Sequence, residues 1–194
     1  YIGTYDGLGC LDIPTMDFVS TYEINRLLQG DVIYALYEDL HHNIWVGTSQ
    51  GLKQLNPQTQ KVREYTISDG LPSNSISAIE GDANGNLWIS TNFGISRFNP
   101  GTQTFVNFYA SDGLQGNEFS KGVSFASTQG EIIFGSTSGI TYFNPGEITS
   151  PNKNPKIRRT DLYVHDRAGR VGVKSGRNDI VTTSVTNSDQ FHLS

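Results

Sequence analysis

Four stretches of this chain superimpose on one another at a nearly constant step. They are Tyr1-Ile2-Gly3-Thr4-Tyr5-Asp6-Gly7-Leu8, Trp45-Val46-Gly47-Thr48-Ser49-Gln50-Gly51-Leu52, Trp88-Ile89-Ser90-Thr91-Asn92-Phe93-Gly94-Ile95 and Ile133-Phe134-Gly135-Ser136-Thr137-Ser138-Gly139-Ile140. Their starts are separated by 44, 43 and 45 residues. Other markers keep the same phase: Asn56-Pro57, Asn99-Pro100 and Asn144-Pro145, with Asp12-Ile13-Pro14 as a degraded copy, and Asp69-Gly70-Leu71 followed by Asp112-Gly113-Leu114. A period of this length restricts the chain to a stack or ring of like units, each burying its apolar face against the next.

Each unit reads as strands. Ser75 to Glu80 alternates apolar and polar residues and runs into the turn sequence Asp82-Ala83-Asn84-Gly85-Asn86. Leu87 to Thr91 forms a second strand and Asn92-Phe93-Gly94 a tight turn, with Gly able to supply a positive φ. Ile95 to Phe98 and Thr104 to Tyr109 complete a set of four, separated by Asn99-Pro100-Gly101-Thr102. Four short antiparallel strands in about 43 residues is the arithmetic of a β-propeller blade. Helical repeats need runs of ten or more residues at a 3.6 period. The best helical candidate here is Tyr22 to Leu28, one or two turns. The expected fold is therefore all-β: about four four-stranded propeller blades, the first incomplete. Trp45 and Trp88 are expected to fill the space between adjacent blades.

Composition agrees. Of 194 residues 21 are Gly, 11% are aromatic and only 17% are charged. That mixture favours strands and turns over helices. With 36% hydrophobic residues and a net charge of only −5, it also excludes a disordered chain. The single cysteine, Cys10, permits neither an internal disulfide nor a cysteine-based zinc site and is expected to be a small buried hydrophobe. No run of 18 apolar residues is present. Tyr1 stands where a mature sequence is already under way, so the chain reads as a piece of something longer.

The period ends after Pro145. Residues 1–149 hold 6 Lys and Arg against 15 Asp and Glu, whereas residues 150–194 hold 8 against 4. This sign change at a Pro- and Asn-rich stretch marks a boundary. Propeller blades are assigned to 1–149. A linker and the opening strands of a second β domain, around Thr160 to Val164 and Asp179 to Thr182, are assigned to 150–194. The basic excess of the tail lacks interleaved aromatics and reads as a solvated face, so no nucleic-acid contact is expected.

These residues carry a family resemblance. Asp69-Gly70-Leu71-Pro72-Ser73-Asn74-Ser75-Ile76, Asp82 to Trp88, Asn92-Phe93-Gly94-Ile95-Ser96-Arg97-Phe98-Asn99-Pro100 and Asp112-Gly113-Leu114-Gln115-Gly116-Asn117-Glu118-Phe119 resemble the two-component regulator propeller repeat. Such repeats form the periplasmic sensor region of Bacteroides-type hybrid two-component system histidine kinases. The tail from Pro155 resembles the start of the immunoglobulin-like Y_Y_Y domain that follows them. The resemblance implies the periplasmic portion of an inner-membrane protein, a homodimeric parent receptor feeding a phosphorelay, and recognition of an oligosaccharide or other small molecule. It implies no enzymatic activity in this fragment and no cofactor. A protein-interaction scaffold and a propeller lyase or hydrolase are the rival functions.

Among chemistry-bearing residues, His41 and His42 occupy the turn that holds Asn84 and Gly85 one repeat later, with no third ligand at a metal-site spacing. Asp82 to Asn86 lacks the spacing and closing Glu of a calcium loop. No nucleophile or phosphate-binding motif appears, so no catalytic and no metal residue is assigned. In an up-and-down blade, the loop after the second strand and the loop joining one blade to the next open on the same face. Those loops hold Gln50, Asn74, Phe93, Asn117 and Glu118, the candidate ligand-binding residues. Amides beside an aromatic can hydrogen-bond and stack on a sugar. Asn74 and Asn117 can alternatively brace the inter-blade turn.

Overall fold

A computed structural model describes residues 1–19, 28 and 30–148, and the backbone of four two-residue strands in the tail. The chain divides into two compact units, Tyr1–Pro151 and Asn152–Ser194. No helix among the described residues is long and apolar enough to cross a membrane.

The first unit contains four antiparallel sheets. Blade 1 is β1 (Ile2–Thr4), β2 (Gly7–Asp12) and β3 (Asp17–Val19). Blade 2 is β4 (Ile33–Glu38), β5 (Ile44–Thr48), β6 (Leu52–Asn56) and β7 (Lys61–Tyr65). Blade 3 is β8 (Ile76–Gly81), β9 (Leu87–Thr91), β10 (Gly94–Asn99) and β11 (Thr104–Phe108). Blade 4 is β12 (Phe119–Ala126), β13 (Ile132–Ser136) and β14 (Gly139–Phe143). Within every sheet, sequence neighbours are spatial neighbours, the up-and-down order of a propeller. In the superposed repeats, β1 is a second strand, so blade 1 shows strands two to four and blade 4 strands one to three.

Three strands of blade 4 are described, and the fourth, expected from about residue 149 by the phase of the repeat, lies outside the described residues. After Phe143 the chain enters a 3-10 turn at Pro145–Glu147, where Asn144 caps Gly146 N. Pro145 has no N–H to give to a ladder. Ile148 packs against the apolar cluster between blades 3 and 4.

Packing between blades holds the unit together. Trp45, Leu52, Tyr65 and Leu71 meet Ile76, Ile79, Leu87, Ile89 and Phe98 between blades 2 and 3. Trp88, Ile95 and Phe108 meet Phe119, Ile132 and Phe134 between blades 3 and 4. Both tryptophans are essentially fully buried, as their repetition in the second strand predicts. Cys10 is half-buried rather than enclosed. Close approach explains one of the repeated glycines. A Cβ at Gly47 would lie 2.6 Å from Ile76 Cγ2 of the next blade.

Among the described residues of the second unit are four short strands: β15 (Tyr163–Val164) pairs with β16 (Arg167–Ala168), and β17 (Lys174–Ser175) with β18 (Asn178–Asp179). The helical turn expected at Tyr22–Leu28 lies, apart from Leu28, outside the described residues, as does most of the strand expected from Asp179 to Thr182.

Candidate functional site: two faces of the blades

Antiparallel order sorts the loops onto two faces. The turns between second and third strands, together with the inter-blade connections, form an upper face. The turns between first and second, and between third and fourth, form a lower one.

On the upper face a single turn chemistry recurs four times. A Thr or Ser hydroxyl closes each hairpin onto a Gly carbonyl: Thr4 to Gly7, Thr48 to Gly51, Thr91 to Gly94 and Ser136 to Gly139, at 2.8 to 3.0 Å. The glycines there take positive φ, 95° at Gly94, as the tight turn requires. In blades 2, 3 and 4 the hairpin is also tied to the connection entering its own blade, through Ser49 N to Val32 O, Asn92 N to Ser75 O and Thr137 N to Glu118 O. Gly94 N also donates to Asn117 O at 2.6 Å. The turn bearing Phe93 is thereby held between Ser75, next to Asn74, and Asn117. Three of the five expected residues come together in this way.

Phe93 is 53% exposed, and its ring lies 5.6 Å from that of Tyr109. The other two, Gln50 and Glu118, are exposed on neighbouring turns of the same face. Asn74 Oδ1 accepts from Ile67 N at 2.9 Å and Asn117 Oδ1 from Ala110 N at 2.7 Å. Both amide oxygens brace the inter-blade turns. Those turns also explain the recurrent Asp-Gly-Leu. Asp69 and Asp112 accept from the backbone N–H of Thr66 and Tyr109, and Gly70 and Gly113 take the left-handed conformation at the turn's end.

The lower face carries an arrangement that the sequence reading does not single out. Asp39 Oδ1 accepts from the backbone N–H groups of His41 and Asn43, Asn43 Nδ2 donates to the carboxylate, and Trp45 Nε1 donates to Oδ2 at 2.8 Å. Forty-three residues on, Asp82 accepts from Asn84 N, Asn86 N, Asn86 Nδ2 and Trp88 Nε1 in the same pattern. Asn56 and Asn99 close each clasp by donating to Asn43 Oδ1 and Asn86 Oδ1. Burial raises the Asp39 pKa, but the hydrogen bonds from Asn43, Trp45 and His41 outweigh it and leave the carboxyl below its ordinary value. The signal was present in the sequence as an Asp followed by Asn at +4 and Trp at +6, twice in phase. His41 and His42 are exposed, and His42 has a φ of 59° where Gly85 has 77°. They are turn residues, with His42 paired to Glu38 at 2.5 Å. Between the two clasps lies a cavity of about 500 Å³.

Residues 70–93 match the model of the two-component regulator propeller. No curated protein matches the chain. Among solved structures, the extracellular domain of a protein described as a hybrid two-component system in B. thetaiotaomicron is similar over 87% of this chain at 26% identity and a TM-score of 0.70. The chain spans 24% of that domain's length. A second extracellular domain from B. thetaiotaomicron, described as a one-component system, covers 74% of the chain at 24% identity and a TM-score of 0.58, of which the chain spans 20%. Virginiamycin B lyase from Staphylococcus aureus covers 72% at 17% identity and a TM-score of 0.50, with the chain spanning 49% of it. Likeness at that identity shows the propeller fold and not the lyase reaction. The matched segment runs from Gly70 through β8, the Asp82 clasp and β9 to Phe93, so it touches both faces.

Proposed function

We propose that this chain is part of the extracytoplasmic ligand-sensing region of a hybrid two-component sensor, that its cue is a carbohydrate, and that it performs no chemistry of its own. The observation that carries the reading is the 26% identity to an extracellular two-component domain, joined to a regulator propeller repeat in the same chain. The upper face supports the ligand class. Exposed Phe93 beside Tyr109 offers a surface on which a sugar ring can stack, and Gln50, Asn74, Asn117 and Glu118 add polar groups around it. In this reading the parent is a periplasmic, inner-membrane-anchored homodimer, and ligand binding shifts the arrangement of its paired sensor regions to control a cytoplasmic kinase.

Isothermal calorimetry of the intact sensor region against an oligosaccharide panel tests the cue. Heat with one glycan class, reduced by Phe93→Ala, is expected. No heat with any glycan would remove the carbohydrate assignment, and heat unchanged by Phe93→Ala would move the ligand off the upper face.

A further inference from the structure

The cavity of about 500 Å³ between the two lower-face clasps is of a size that holds small ligands. It is walled by both clasps, by Tyr37 and Gln54 of blade 2, and by the Asn99–Gly101 turn of blade 3. The polar groups of the clasps are already committed. Asp39 and Asp82 each take several N–H donors, and Asn43 and Asn86 spend their amides on those carboxylates and on Asn56 and Asn99. Two groups are different. Tyr37 Oη and the Gln54 side-chain amide form no hydrogen bond among the described residues, and both residues line the cavity. Tyr37 reaches across the blade boundary to Gly81, where a side chain would collide with its hydroxyl.

Repetition separates these two residues from the scaffold. The clasp residues recur 43 positions later because they serve every blade. At the positions equivalent to Tyr37 and Gln54, blade 3 has Glu80 and Arg97. A neutral hydroxyl and a neutral amide thus occupy one inter-blade space where the repeat does not demand them. Among the described residues no Lys or Arg lines the cavity, and two carboxylates do beside the exposed His41, so an anion is disfavoured. The carboxylates are internally satisfied, so a cation gains less from them than from free acids. What is left is a phenol and an amide, each able both to donate and to accept.

We infer that this lower-face cavity binds a small neutral polyhydroxylated molecule, of monosaccharide or cyclitol size, through Tyr37 Oη and the Gln54 amide. The site goes beyond the sensing role proposed above and does not rest on it, because it stands on the opposite face and on its own groups.

The two tryptophans give a direct readout, since the chain has only two and both indole N–H groups donate into the cavity's walls. In a nitrogen-15 NMR titration of the full chain, millimolar glucose or myo-inositol is expected to shift both indole signals, and glucuronate and methylammonium are expected to shift them far less. Tyr37→Phe and Gln54→Leu are each expected to weaken the neutral ligand by about 3- to 10-fold, the loss of one hydrogen bond apiece. Retained indole dispersion in both variants would show that they remain folded. Unmoved indole signals with both neutral polyols, equal response to methylammonium or glucuronate, or unchanged affinity in both folded variants would each overturn the inference. A failed glycan response in the intact sensor leaves this test intact, because the shifts are read at the lower face.

Discussion

Trp45 donates its indole N–H to Asp39 Oδ2 over 2.8 Å, so the largest side chain in the space between blades 2 and 3 is anchored by a carboxylate in its own blade's first turn. Burial of an indole leaves one donor to satisfy. The sequence supplies the acceptor six residues upstream, where the hairpin brings it alongside. The same pair recurs as Asp82 and Trp88 at 3.0 Å. Asp82→Ala would strip the turn of its acceptor and orphan the Trp88 N–H. A loss of about 2 kcal/mol is expected from the charge-assisted bonds alone. Urea unfolding checks this, and an unchanged midpoint would show that the clasp contributes nothing.

Acid should undo the clasp in a defined direction. Asp39 is shifted below its ordinary value of 3.8 because the folded state donates hydrogen bonds to its ionised form, against an opposing effect of burial. A group with a depressed folded pKa contributes stability that is present above its unfolded pKa and is lost as pH falls through the folded value. The Asp39 contribution is therefore intact at neutral pH and disappears below about pH 3.8. A carbon-13 NMR titration of the Asp39 carboxyl should give a midpoint under 3.8. A midpoint at or above that value would contradict the hydrogen-bond pattern.

Blade spacing makes a separate prediction at Gly47. An added methyl would sit 2.6 Å from Ile76 Cγ2 and 3.2 Å from Ala35 Cβ, inside contact distance of both. Gly47→Ala should destabilise the protein by about 1–3 kcal/mol through overpacking. Combining it with Ile76→Ala should cost less than the sum of the two single changes, since each removes the other's clash or void. Strict additivity in a double-mutant cycle would mean that the two positions do not meet.

Period and strand pattern carry the fold because each marker has a local physical cause. Gly94 stands where the hairpin needs positive φ, Asp69 and Gly70 cap a turn, and Trp88 fills an inter-blade space. Three things were less legible. The way the chain leaves the third strand of blade 4 depends on how Pro145 and Ile148 turn and pack, and a repeated Asn-Pro says only that a turn begins. The Asp39–Asn43–Trp45 clasp was visible as spacing, but Asp82 and Asn86 read equally well as a generic turn. The upper-face convergence of Asn74, Phe93 and Asn117 followed from topology. The lower cavity did not, because Tyr37 and Gln54 are 17 residues apart and share a face only through the pairing of β4 and β6 with β5, and the rest of its wall comes from blade 3.

Ser90 interrupts the series Gly3, Gly47 and Gly135 at the second strand of blade 3. It is fully buried, and its hydroxyl has no hydrogen-bond partner among the described residues. An unpaired hydroxyl costs about 1–3 kcal/mol in desolvation, so Ser90→Ala should be neutral or stabilising. Thermal unfolding reads the sign. A drop in Tm of several degrees would show that the hydroxyl is paired in solution, by water or otherwise.

Asn117 allows the structural and recognition roles of the upper face to be separated. Its Oδ1 accepts from Ala110 N, and its backbone carbonyl accepts from Gly94 N, so the side chain braces one turn while the main chain holds the Phe93 hairpin. Asn117→Ala removes only the first bond. The expected cost is about 1 kcal/mol, with faster amide exchange at Ala110 and unchanged protection at Gly94. Asn117→Asp keeps the acceptor and replaces the amide donor with charge. It should therefore retain slow exchange at Ala110 while losing whatever hydrogen bond the amide gives to a ligand. If Asn117→Asp exchanges at Ala110 as fast as Asn117→Ala, the brace is not the hydrogen bond to that oxygen. If Asn117→Asp leaves glycan binding by the intact sensor unaltered, the amide serves the turn alone and the ligand contacts of this face fall to Phe93 and its neighbours.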